Sequence, residues 1–154
     1  GFVSQKDLEL SNISEEMRKY AITIQNPLSD EYKLMRPTTI PSMMQILATN
    51  ANKKNQNVKL FDVSRNYKNS KQQIQEGEVP LQEEILTVGM YGEEVDFYTL
   101  KGILENILEA IGIHHYQIEK EIENASYHPG RCANIKIGKD IIATLRRGSS
   151  TGIR

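Results

Sequence analysis

Lys59-Leu60-Phe61-Asp62-Val63-Ser64-Arg65-Asn66-Tyr67-Lys68-Asn69-Ser70 runs from an alternating apolar segment into a knot of polar and basic residues. Alternation at a period of two predicts a strand. Val58, Leu60 and Asp62 then fall on one side of the pleat and Lys59, Phe61 and Val63 on the other, with at least one face buried. Such a strand could carry a basic residue to the surface of a sheet, the geometry a nucleotide phosphate requires.

The chain around it supplies a sheet and two long helices. Phe2-Val3 reads as a strand fragment, and Ser4 with Asp7 three residues later is a capping pattern for a short helix over 5–10. Ala21–Gln25 alternates as a strand and is broken at Asn26-Pro27. Leu34–Pro37 is a short extended piece. Thr38 and Thr39 precede Pro41, which suits an unpaired first helical turn. Ile40, Met43, Met44, Leu47, Ala48 and Ala51 recur at helical spacing and give one apolar face over 40–52. Residues 68–84, polar and holding Gly77 and Pro80, are expected to form a long loop, after which Ile85–Tyr91 resumes as a strand apolar enough to be central in a sheet. Asp96 caps the most regular helix, whose Leu100, Ile103, Leu104, Ile107, Leu108 and Ile111 close at Gly112. Tyr116–Ile122 reads as an edge strand, and Asn134–Ile137 with Ile141–Leu145 as a hairpin about Gly138-Lys139-Asp140. Strands in series with two long helices predict an α+β fold with an antiparallel or mixed sheet, not a doubly wound one.

Composition narrows the chemistry. The 154 residues are 38% hydrophobic and 25% charged with a formal charge of −1, ordinary for one globular domain. Without a basic excess, any RNA contact must be local or shared with a partner. A single cysteine, Cys132, cannot form an internal disulfide and fits a reducing, cytoplasmic setting; there is no membrane-length apolar run. The start at Gly1-Phe2-Val3, without methionine, suggests a piece of a longer chain. No metal site is expected: His114 and His115, adjacent on a strand, would point to opposite faces, and His128 adds no second ligand type. Cys132 lacks an orienting base and reads as a small buried hydrophobe. No glycine-rich phosphate loop opens a helix. His128-Pro129-Gly130-Arg131 is a tight turn, and Glu93, Glu94 and Asp96 suit a helix N-terminus.

Three blocks taken together carry a family pattern: NPLSDEYKLMRPTTIPSMMQILATNANKKNQNVKLFDVSRNY (residues 26–67), VDFYTLKG (95–102) and HPGRCANIKIGKDIIATL (128–145). In order and spacing, over about residues 1–145, they resemble the catalytic-like module of the β subunit of bacterial phenylalanyl-tRNA synthetase. The resemblance implies a class II synthetase fold, an antiparallel sheet flanked by helices, truncated at both ends, with 146–154 as an appended flexible tail.

In active modules of this class the strand leads to a Phe-Arg-x-Glu signature. Its arginine grips the α-phosphate of ATP, where a bidentate guanidinium stabilises crowded negative charge. Aligned here, the signature falls on Tyr67-Lys68-Asn69-Ser70, so the arginine has become Lys68 and the acid Ser70. Arg65 is the arginine that precedes the signature. The tail 147–154 lacks the apolar residues of the second ATP-binding strand. Arg65, Lys68 and Ser70 are therefore degenerate nucleotide-site positions, and no catalytic residue or cofactor is expected in this segment.

The resemblance implies that the module supports a catalytic α subunit, which uses ATP and Mg²⁺ to activate phenylalanine and charge tRNA(Phe) within a heterotetramer. The subunit interface is expected at Leu34, Arg36, Met43, Met44 and Leu47, since methionines adapt well at partner surfaces. Two alternatives are an active adenylating domain using Arg65, Lys68 and Arg36, and an unrelated small α+β binding module.

Overall fold

The computed structural model describes residues 2–11, 18–19, 21–27, 29, 33–68, 80–120 and 132–146. They form two compact units that divide after Gly92.

The first unit holds a three-stranded antiparallel sheet and a long two-stranded ribbon. The small sheet has the order β1–β3–β2, with β1 Phe2–Val3, β2 Ile22–Thr23 and β3 Leu34–Met35. Between β1 and β2 lies α1, Gln5–Leu10, opened by the expected capping box: Ser4 Oγ accepts from the Asp7 N–H at 3.1 Å, and the Asp7 carboxylate accepts from the Ser4 N–H at 3.1 Å. Register sorts the sheet's faces. Val3 pairs with Leu34, and both pack with Leu8 and Ile40 in a small core; Phe2 and Ile22 both pair with Met35 on the other face.

The helix read over 40–52 is observed as α2, Ile40–Asn52, followed by β4, Val58–Lys68, and β5, Leu81–Tyr91. β4 and β5 pair antiparallel along their whole length, from Val58 opposite Tyr91 to Lys68 opposite Leu81. Two expectations change here. Residues 81–84 belong to β5 rather than to a loop, because Gln82, Glu83 and Glu84 complete the ladder opposite Tyr67, Asn66 and Arg65; residues 69–79 of that expected loop lie outside the described residues. β5 is not central either, since among the described residues it pairs only with β4.

Met43 and Leu47 of α2 pack with Val58, Leu60 and Tyr91 as the ribbon's core. The approach is closest at Gly89, where an added Cβ would lie 2.6 Å from Met43 Cγ and Sδ and 3.0 Å from Leu47 Cδ1. Thr39 occupies the N-cap position of α2 but caps nothing with its side chain; its hydroxyl is hydrogen-bonded to that of Thr87.

The second unit packs α3, Phe97–Ala110, on the antiparallel sheet β6–β7–β8, with β6 Gln117–Lys120, β7 Cys132–Ile137 and β8 Asp140–Arg146. Asp96 caps α3 as expected: its carboxylate accepts from the Thr99 N–H at 2.7 Å, and the Asp96 N–H donates to Thr99 Oγ1 at 3.4 Å. Leu108, Ala133, Ile135 and Leu145 are the buried centre, with Phe97, Leu100 and Leu104 packed around them. Each fully buried leucine or isoleucine there is worth about 1.5–3 kcal/mol. The hairpin turns at Gly138, whose φ of 60° favours glycine. Cys132 is buried as expected. Arg146 closes β8 opposite Cys132, one residue inside the region expected to be tail, and 147–154 lie outside the described residues.

Two glycines should respond in opposite directions. Gly89→Ala forces its methyl into Met43 and Leu47 and should cost about 1–3 kcal/mol in urea unfolding. Gly102, inside α3 with nothing within 4 Å of an added Cβ, should gain about 0.5–1 kcal/mol as Gly102→Ala.

The Thr99 backbone N–H, then its hydroxyl, hold the Asp96 carboxyl below its usual range. A lowered folded pKa means that this stabilisation is present above the unfolded value near 4 and is lost as pH falls through the folded one. Asp96→Ala should therefore lower Tm at neutral pH, with the deficit shrinking as a pH series of melting curves passes below about 4.

Candidate functional site

The pleat of β4 divides the stretch Lys59–Ser70 into two surfaces. Asp62, Ser64 and Asn66 lie on the inner side with Val58 and Leu60, and Lys68 shares their register; the Lys68 side chain and all of Ser70 lie outside the described residues. Arg65 falls on the outer side, where its Nε is 3.5 Å from Oε1 of its cross-strand neighbour Glu84. By register, Arg65 and Lys68 fall on opposite sides of β4.

The inner surface is a polar cluster at the far end of the ribbon from the α2 core. The link from β3 to α2 crosses it, clasped where the Tyr67 N–H donates to the Arg36 carbonyl at 3.1 Å. The mostly buried Arg36 side chain turns inward: Nη1 is 3.9 Å from Asp62 Oδ2, and Nε donates a long 3.5 Å bond to the Arg65 carbonyl. Ser64 Oγ donates to the same Asp62 oxygen at 2.7 Å. Above them lies the Thr39–Thr87 hydroxyl pair. Asn66 is buried, and its Oδ1 has no hydrogen-bond partner. Arg36 thus faces Asp62, and Thr39 is bonded to Thr87.

The expected interface residues separate in the same way. Met43 is 5% and Leu47 8% exposed, so both are committed to the chain's own core and are withdrawn as partner contacts. Arg36 is held by Asp62. Leu34 faces the Val3–Leu8 core, while Met44 is half-buried at the margin of α2. What the sequence reading missed is Leu34's neighbour: Met35, between Phe2 and Ile22, makes a cross-strand apolar row in which Phe2 is 54% exposed. The signal was available, since adjacent strand residues take opposite faces. A second apolar surface covers the outer side of the ribbon, where Phe61, 75% exposed, opposes Val88, and Val63 opposes Leu86.

In the second unit, His114 and His115 are not on a strand. They are exposed in the irregular segment before β6 and line a groove of about 460 Å³ with Tyr116, Gln117, Lys136 and Gly138. Among the described residues no group of His, Cys, Asp and Glu could hold a metal, and no helix is long and apolar enough to cross a membrane. His128 and the turn 128–131 lie outside the described residues.

This arrangement of antiparallel strands and helices is that of a class II aminoacyl-tRNA synthetase. A pyrrolysyl-tRNA synthetase from Desulfitobacterium hafniense matches 99% of this chain and 51% of its own with a TM-score of 0.73 at 17% identity; a second structure of that organism's enzyme gives 0.68 over 93% and 49% at 16% identity. At that identity the likeness establishes the fold alone.

Sequence narrows the class to a family. Residues 1–145 match the phenylalanyl tRNA synthetase beta chain CLM domain, and the chain belongs to that family. It is 38% identical to the phenylalanine–tRNA ligase beta subunit of Clostridium acetobutylicum over 145 residues, 94% of this chain and 18% of that subunit. It is 36% identical to the Fusobacterium nucleatum beta subunit over 94% of this chain and 18% of the relative. The chain thus spans under a fifth of these relatives' length.

The cluster makes a direct prediction. Asp62→Asn removes the counter-charge from the mostly buried Arg36 guanidinium while keeping an acceptor for Ser64, and should destabilise by about 1–2 kcal/mol in denaturant titration.

Proposed function

We propose that this chain is a non-catalytic class II module of a phenylalanyl-tRNA synthetase β subunit, which supports a separate α subunit in a cytoplasmic heterotetramer. Activation of phenylalanine with ATP and Mg²⁺, and its transfer to tRNA(Phe), then belong to the whole enzyme and not to this segment. The observation that carries the reading is the Arg36–Asp62 pair. The inner-face guanidinium already faces the chain's own carboxylate, and on the family resemblance the signature arginine and acid are replaced by Lys68 and Ser70.

A triphosphate would have to compete with Asp62 for that guanidinium. The same observation disfavours an adenylating domain built on Arg36, Arg65 and Lys68, because Arg36 faces Asp62 and Arg65 faces Glu84 on the opposite surface.

The α subunit is proposed to seat on the apolar row of Phe2, Met35 and Ile22. Phe2 there is exposed, whereas Met43 and Leu47 are not available.

The test has two arms. The isolated chain should give no phenylalanine-dependent ATP–pyrophosphate exchange; exchange above background would overturn the non-catalytic reading. Met35→Glu in the full β chain should sharply reduce co-purification with α while the melting temperature holds. Undiminished co-purification would remove the proposed face.

A further inference from the structure

The outer side of the β4–β5 ribbon is an open apolar face. Phe61 is 75% exposed, Val63 62% and Leu86 43%, and they lie with Val88 on adjacent rungs of the ladder, Phe61 opposite Val88 and Val63 opposite Leu86. Contiguous exposed apolar surface of this kind marks an interaction site. On the same face Arg65 opposes Glu84 beyond one end of the apolar rungs, and Lys59 opposes Met90 beyond the other.

The composition of these rungs selects the occupant. Apolar meets apolar at 61–88 and 63–86, cation meets carboxylate at 65–84, and the Met90 thioether can carry the stem of Lys59 while its ammonium stays in water. Consider a second copy laid face to face about a twofold axis parallel to the strands and over the line between them. That operation exchanges β4 and β5, so Phe61 comes over Val88, Val63 over Leu86 and Arg65 over Glu84 of the other copy, and every pairing within one chain is repeated between two. A twofold axis across the ribbon would instead set Lys59 over Arg65, which like charge disfavours. Although paired at 3.5 Å, the Arg65 and Glu84 side chains are 59% and 71% exposed. Each therefore keeps donors or lone pairs for a second partner, and two copies close an alternating ring of four charges.

We propose that this outer face docks a second copy of the chain, the two ribbons packing as a face-to-face β-sandwich. The apolar rungs supply the attraction, and the Arg65–Glu84 rung fixes the direction of the axis. Two apolar rungs and one charged rung make a small face beside the roughly 20–30 residues a side of a standard interface, so association is weak, with Kd on the order of 10⁻⁴ M. The face is separate from the row of Phe2, Met35 and Ile22, and the inference does not rest on where the α subunit seats.

The test measures the mass of the whole chain by sedimentation equilibrium from about 10 μM to about 1 mM, a range that brackets such a Kd. The parent should pass from monomer to dimer. Phe61→Lys, at an exposed position, should keep the parent's melting temperature and weaken dimerisation about tenfold or more. Arg65→Glu and Glu84→Arg should each weaken it as well, because each sets like charges against one another across the interface. An equimolar mixture of those two variants should dimerise as the parent does, since the all-acidic rung of one then meets the all-basic rung of the other. A parent that stays monomeric throughout, a Phe61→Lys variant that dimerises like the parent, or a mixture no better than its components overturns the proposal. So does loss of α co-purification by a full β chain carrying Phe61→Lys with self-association unchanged, which would assign the face to α. Because no α subunit, phenylalanine or ATP enters the sedimentation experiment, its failure is distinct from failure of the exchange and Met35→Glu tests.

Discussion

The ladder between β4 and β5 is the constraint on which the first unit depends. Eleven consecutive residues of each strand face one another, and a strand's period of two then fixes which side every side chain takes. A slip of one residue would send Leu60 and Val58 away from α2 and bring Lys59 and Phe61 into contact with it. The register is pinned from the helix side, because Gly89 is the place where Met43 and Leu47 come against the ribbon without a Cβ between them. One close approach therefore decides the addresses of Asp62, Ser64 and Asn66 as well, several residues away.

At that far end, magnitudes decide what Arg36 does. Two unit charges about 4 Å apart attract by about 4 kcal/mol at an effective dielectric of 20, and removing the ions from water costs several kcal/mol for each fully buried one. The 3.9 Å pair, with Asp62 half-exposed, is close to break-even as a stabilising contact. Its consequence is chemical rather than energetic: Asp62 compensates charge that Arg36 would otherwise offer a phosphate. The Ser64 hydroxyl engages the same carboxylate and Thr39 pairs with Thr87, which leaves the buried Asn66 Oδ1 as the acceptor without a partner.

How much of this was legible follows from the range of each signal. Local signals read well: Ser4 with Asp7 and Asp96 gave their helix starts, the apolar spacing over 40–52 gave α2, and Gly138 gave its hairpin. The same local logic failed where a partner strand decides. Residues 81–84 are polar and resemble a loop, yet they are strand because residues 65–68 lie across from them. Met43 and Leu47 carry no mark that separates a partner-facing residue from a core one, since the glycine that receives them lies more than forty positions further along the chain. Asp62's contact with Arg36 was not legible, because it bridges two segments and has no pattern in either.

The ribbon also shows why a fold can outlast its chemistry. Its packing energy lies at one end, where Val58, Leu60, Gly89 and Tyr91 meet α2, and its polar groups lie at the other, around residues 62–68 and 83–87. Substitutions at the polar end leave the buried apolar contacts untouched, and well-separated sites contribute to stability nearly independently. On the proposed reading, replacing a signature arginine with Lys68 and its acid with Ser70 would not loosen α2 from the ribbon. A change at Gly89 or Met43 has no such freedom, since it acts on the contact that sets the register itself. The strand Val58–Lys68 accordingly keeps the pleat that would deliver a cation to a nucleotide, while Arg36, reaching the inner face from the preceding segment, faces Asp62.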